Sequence, residues 1–155
     1  MTPVRYIDRS RDYYAAQGYE QPYRWAKFDA VPFAPLRRPL GESTLAIVTT
    51  AMPDASYTRK ARRLAICATA EAPAALYTQE VFWDKEATHT EDLESYFPLA
   101  ALQALAREAR VARIAEHYFC VPTTYSHRKT IEDDAPAVAA QCVRDEVDVA
   151  LLVPL

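Results

Sequence analysis

Two stretches of this chain are almost continuously apolar: STLAIVTTA (43–51) and VDVALLVPL (147–155). Both are short, rich in β-branched residues and bounded by polar or turn-forming neighbours. That pattern predicts strands covered on both faces, as in a parallel sheet. HYFCV (117–121) predicts a further short strand, and ALYTQEVFW (75–83) has strand composition with partial alternation. Helical spacing appears in PLAALQALAREAR (98–110), with Pro98 at the first helical position and Leu99, Leu102 and Leu105 on one face. EDDAPAVAAQCVRDE (132–146) predicts a second helix: acids crowd its start, and Pro136 lies in the first turn. Ala135, Val138, Ala139 and Cys142 form its apolar stripe, and Arg144 complements the dipole near its end. The segment 54–72 fits neither period, and its basic run Arg59–Arg63 reads first as a solvated face and second as an anion site.

The first 41 residues follow neither pattern. Asp8 is placed to cap a short helix in RSRDYYAAQ, and Gly18 stands where a glycine would close it. Beyond it Pro22, Pro32, Pro35 and Pro39 forbid long regular elements. Tyr23, Trp25, Phe28 and Phe33 suggest an arm packed on a body, ahead of any ligand-stacking role. The expected organisation is an aromatic, proline-rich arm over 1–41 and an α/β domain over 42–155.

Strands alternating with helices predict an α/β fold: a mostly parallel sheet with flanking helices, in Rossmann- or flavodoxin-like layering. In such sheets ligands bind outside the carboxyl ends of the strands. The last strand-like segment closes the sequence at Leu155. A central strand needs neighbours and a covering helix, so the expectation is the N-terminal part of a longer domain, truncated at its last strand, or a domain completed by another chain.

Composition narrows the chemistry. At 155 residues, 50% hydrophobic and 25% charged, the chain is of globular type. A net charge of -3 gives no electrostatic reason to expect nucleic acid or an anionic membrane as partner. No apolar run approaches the ~20 residues that span a bilayer, and MTPVRYIDRSRDYY has no signal-peptide core. Three unpatterned cysteines (Cys67, Cys120 and Cys142) suit a reducing cytoplasm. Cys67 and Cys142 fall in helical patterns and read as small core residues, and no C-x-x-C redox pair is present. With only Gly18 and Gly41, there is neither a GxGxxG nor a P-loop motif.

Three stretches carry candidate side chains. Thr49 and Thr50 stand at the mouth of the first strand, placed to bind a carboxylate or phosphate, although threonine ends many strands. WDKEATHTEDLESYFP (83–98) sets His89 among carboxylates, as an acid/base group or ligand. The same acids equally suit a helix start capped by Thr90, and the lack of a second histidine at helical spacing argues against a metal. VPTTYSHRKTIEDD (121–134) offers Thr124, Tyr125 and His127 as substrate-binding candidates in a loop after a strand, where exposed polar residues are also common. Ser126 beside His127 is a poor hydrolase pair, because adjacent residues rarely face each other.

Taken in order, VRYIDRSRDYYAAQGYEQPYRWAKFDAVPFAPL, LAIVTTA, WDKEATHTEDLESYFPLAAL, VPTTYSHRKTIEDDAPAVA and VDVALLVPL resemble the selenoprotein B family of glycine, sarcosine and betaine reductases. The selenocysteine subunit of D-proline reductase is a shorter relative. The resemblance runs over nearly the whole chain and is weakest over 52–75. It implies a subunit whose selenol or thiol attacks the α-carbon of an amino-acid derivative and cleaves the C–N bond reductively. A pyruvoyl group on a partner subunit activates the amine in some such systems. It further implies a selenocysteine or redox thiol pair just after the strand resembling DVALLVPL. UGA encodes selenocysteine and is read as a stop, so a truncated reading of a selenoprotein is expected, silent as a reductase by itself. The alternative is a catalytically silent scaffold or assembly subunit of such a complex. It would pair its last strand with another chain, either a different subunit or a second copy in a homo-oligomer.

Overall fold

The computed structural model describes residues 5–21, 27–31, 34–59, 62–79, 84–124 and 126–155. The chain divides into two compact units, Met1–Phe33 and Ala34–Leu155. In the first, helix α1 spans Tyr6–Ala16, so Asp8 lies in its first turn and Arg5 takes the capping position. Asp8 instead pairs with Arg5 and Arg11 at 3.4 and 3.1 Å. Gly18 closes the helix as the sequence predicts. At φ 86° its N–H reaches Ala15 O, and that of Tyr19 reaches Tyr14 O, the paired bonds of a left-handed helix terminus. Tyr23, Trp25 and Phe33 lie outside the described residues.

The second unit is mixed α/β. Its elements are β1 (Thr44–Thr49), α2 (Ser56–Arg59), β2 (Ala65–Ala68), α3 (Leu99–Arg107), β3 (Arg113–Ile114), β4 (His117–Cys120), α4 (His127–Lys129), α5 (Ala135–Arg144) and β5 (Val149–Val153). β1 is the hub, parallel to β3, β4 and β5. β3 and β4 share one of its edges: Leu45 O accepts from Ala115 N and Thr49 O from Val121 N, each at 2.8 Å. Thr44 O faces the other edge and accepts from Asp148 N at 3.0 Å. Between the pairs Leu45↔Ile114 and Val48↔Phe119, β1 advances three residues and its neighbour five, so two extra residues bulge at this edge.

β2 runs antiparallel to β4, Ala65 opposite Cys120. The sheet is therefore of mixed orientation, where the sequence led us to expect a mostly parallel one. This also corrects Cys67, which lies in β2 and not in a helix. The predicted strand over 75–83 reduces, within its described part, to a single bridge between Met52 and Tyr77.

β1 is covered on both faces, as its apolar run predicts. One side carries Leu45, Ile47, Met52, Tyr118 and Val111, with Leu102 of α3 and the adjoining Tyr96 and Phe97. Phe97 is fully buried and packs against Tyr118, with ring centroids 4.7 Å apart and planes tilted by 54°. The other side carries Ala46, Val48 and Phe119 under Val138 and Cys142 of α5. Ala135 and Ala139, expected in that stripe, are exposed. The helix is preceded by five residues of π-helix, Thr130–Asp134, whose wider turn shifts the phase of the stripe.

α3 begins one residue after Pro98, which serves as its cap position. Both oxygens of Glu94 accept there, from Ala100 N at 3.0 Å and Ala101 N at 2.9 Å. No helix among the described residues is long and apolar enough to cross a membrane.

Candidate functional site

The carboxyl ends of β1 and β4 lie side by side, because Val48 and Thr49 pair with Phe119 and Cys120. The segments leaving these two strands form the rim of a shallow pocket. After β1 the chain turns at Thr49, whose hydroxyl accepts from Ala51 N at 3.3 Å. Met52 then exchanges two backbone hydrogen bonds with Tyr77, at 3.0 and 2.7 Å. After β4 come Pro122 and Thr123. Thr50, Met52, Thr58, Arg62, Tyr77, Pro122 and Thr123 line about 270 Å³ of space, much of it open to solvent.

Among the described lining residues Arg62 is the cation, beside three threonines, and none carries a carboxylate side chain. Its guanidinium donates to Thr123 O, which ties it to the end of β4. Lys129 in α4 donates to Arg62 O at 2.9 Å and forms an ion pair with Asp134 at 3.4 Å. Asp134 is buried, and its Oδ2 has no hydrogen-bond partner among the described residues. The chain leaving β5 arrives at the same rim, where Leu155 N donates to Thr50 Oγ1 at 2.8 Å. The Thr58 and Thr50 hydroxyls donate to Ala55 O at 3.1 Å and Leu155 O at 3.4 Å, which leaves the fixed guanidinium, with Thr123 beside it, as the group suited to a small anion such as a carboxylate.

Of the residues singled out in the sequence, Thr50 lines this pocket. Thr49 is buried immediately behind it. Thr124 borders Thr123, and its hydroxyl accepts from Ser126 N at 3.3 Å. Tyr125 lies outside the described residues. His127 is half-buried at the start of α4 and is not part of the lining. His89 is exposed in the loop before α3, where its Nδ1 accepts from Glu91 N at 3.4 Å, so the structure does not bring it to the pocket. Its acidic neighbours serve as local caps: Asp84 accepts from Glu86 N and Ala87 N, and Asp92 from Glu94 N. Ser126 caps α4 by accepting from Lys129 N, which removes it further from hydrolase chemistry.

None of the three cysteines is a poised thiolate. Burial pushes the Cys120 thiol far up. Burial also raises Cys67, against an opposing hydrogen bond from Tyr118, and raises Cys142, with Asp145 adding to the effect.

Sequence reasoning missed Arg62, Thr58 and Tyr77. For Arg62 the signal was present, the basic run at 59–63, but a run of like charges does not say which member turns inward. Comparison with family models, with curated proteins and with solved structures finds no match for this chain.

Proposed function

We propose that this chain supplies the substrate-binding wall of a thiol- or selenol-dependent reductase that cleaves the C–N bond of small zwitterions of the glycine, sarcosine, betaine or D-proline type. The observation that carries the reading is Arg62, held among Thr50, Thr58 and Thr123 at the carboxyl ends of β1 and β4. That is where an α/β sheet binds ligands, and the group fits the carboxylate that all four substrates share. The finer fold reading, a mostly parallel sheet of Rossmann or flavodoxin layering, belongs to the same proposal. Three parallel pairings around β1 and helices on both its faces support it, and the antiparallel β2 stands at the sheet's far side.

Within this reading Arg62 grips the carboxylate, and Thr123 beside it fixes its rotation. Half-buried Tyr77 presents apolar surface to the substrate's carbon and methyl groups, over the buried Met52. A selenol or thiol pair, with a pyruvoyl group on a partner subunit where the amine needs activation, would supply the reducing chemistry. The raised thiols of Cys67, Cys120 and Cys142 are unsuited to that role. The backbone leaving β5 passes the pocket at Thr50, which supports a reactive group carried on the segment after that strand.

The test is calorimetric titration of the chain with each of the four substrates. At least one should bind saturably, and Arg62→Gln should weaken it by about tenfold or more, the worth of one charge-assisted hydrogen bond. Absence of binding by all four, or binding indifferent to Arg62→Gln, overturns the proposal.

A second reading is a catalytically silent scaffold or assembly subunit of such a complex. It is favoured by β5, whose outer edge has no strand partner among the described residues and whose Leu152 is 68% exposed.

A further inference from the structure

We infer that Lys129 and Asp134 are positioning residues for Arg62, brought together by a turn of π-helix outside the pocket lining. The role of Arg62 as the grip on a carboxylate rests on the reading above, and these two side chains keep that grip aimed. Arg62 lies between α2 and β2, and among the described residues no backbone–backbone hydrogen bond holds it. Its carbonyl instead accepts from Lys129 Nζ at 2.9 Å, while its guanidinium donates to Thr123 O. The residue is thus tied once by its main chain and once by its side chain. Without the first tie, the guanidinium must reach Thr123 from a backbone that nothing else described here fixes.

The local helix geometry is what delivers Lys129. Side chains three or four residues apart are neighbours on an α-helix, and side chains five apart are not. Lys129 and Asp134 are five apart, yet Nζ lies 3.4 Å from Oδ1. The π-helix over Thr130–Asp134 accounts for this, because its hydrogen bonds span five residues and set Asp134 over Lys129. Wide turns of this kind inside α-helices recur at functional sites.

Asp134 points the same way independently. Its side chain is 5% exposed, and its Oδ2 has no hydrogen-bond partner among the described residues. Although it occupies the capping position of α5, it makes no capping hydrogen bond. A buried carboxylate so poorly satisfied costs stability, and an apolar side chain would fill the place better. What the carboxylate does supply is a fixed anion that holds the half-buried Lys129 ammonium beside Arg62 O. A local arrangement that costs stability and orders a cation next to a pocket fits positioning better than packing.

The experiment is 1H–15N NMR of the full-length chain at the arginine Nε–H groups, with calorimetric titration of the four substrates alongside. The Arg62 signal is the one absent from Arg62→Gln, and in the wild-type chain it should be rigid, with a positive heteronuclear NOE. In Asp134→Asn it should become mobile, and substrate binding should weaken by about tenfold or more. Lys129→Met combined with Asp134→Leu should do the same with the unfolding temperature kept, because it replaces the ion pair by apolar groups. That double variant leaves no uncompensated buried charge, so it decides the matter where Asp134→Asn unfolds the chain. Glu132→Gln breaks only the exposed pair with Arg128 and should leave both signal and binding unchanged. An Arg62 signal that stays rigid in the double variant overturns the proposal. A wild-type chain that binds none of the four substrates, with an Arg62 signal that still loosens in the variants, overturns the carboxylate reading alone and upholds the positioning of Arg62.

Discussion

Single residues in this chain take their chemistry from depth as much as from identity. Cys120 is fully buried at the end of β4 with its thiol pushed far up, while Cys67 and Cys142 are half-buried and raised less. An unperturbed thiol ionises near pH ~8.5, so each of these carries less thiolate at neutral pH than a free cysteine does. Iodoacetamide at pH 7.5 should therefore alkylate Cys67 and Cys142 more slowly than a cysteine peptide. Cys120 should react only as fast as the chain opens. Mass spectrometry of time points reads all three, and peptide-like rates at Cys120 would contradict its burial. At this scale the sequence was partly legible. Thr50 was singled out for its place at the mouth of a strand, although threonine ends many strands. Arg62 and Cys67 did not stand out, since an arginine in a basic run and a cysteine among alanines look alike whether they face inward or outward.

At the level of elements, the helix ends show how a chain with two glycines manages its turns. α1 closes on Gly18, but α3 and α5 close the same way on Ala109 and Glu146, at φ 56° and 54°. In each, the next N–H reaches back to the carbonyl of the last turn: Arg110 to Leu105 at 2.9 Å and Val147 to Cys142 at 2.8 Å. A side chain in the left-handed region costs roughly 1–2 kcal/mol, and glycine's added chain entropy returns only part of that. Ala109→Gly should therefore stabilise the protein by roughly 0.5–1 kcal/mol, seen as a higher urea midpoint with unchanged slope. A lower midpoint would show that the alanine methyl contributes packing that outweighs its strain. These stops explain why the predicted helix over 98–110 ends early: nothing in LAREARVAR marks a terminus when alanine takes glycine's place. The loop before α3 hid its structure for a related reason. Acids that cap their own turns, as Asp84 and Asp92 do, look in sequence like Glu94, which caps the next helix.

For the molecule as a whole, the pattern of apolar runs located β1, β4 and β5 within a residue or two, because short apolar runs bounded by polar residues mark strands whether or not both faces are covered. It did not reveal β2 as antiparallel, since direction is set by the connection and not by the strand's own residues. β5 is the strand that departs from its own pattern: its run is apolar, yet Leu151 and Leu152 are exposed. If assembly through this edge is the chain's role, sedimentation velocity should show concentration-dependent association that Leu152→Lys abolishes without lowering the unfolding temperature. A wild-type chain that stays monomeric across the range would remove the assembly reading. The position of β1 has a kinetic consequence as well. The strand that organises the sheet is made early, but one of its two edges is filled by β5, and Thr50 is bonded to a residue 105 positions further on. A ribosome must therefore release almost all of this segment before β1 acquires both neighbours. Until then its most apolar stretch waits half-paired, which makes β1 the point where a chaperone gains most by binding the nascent chain.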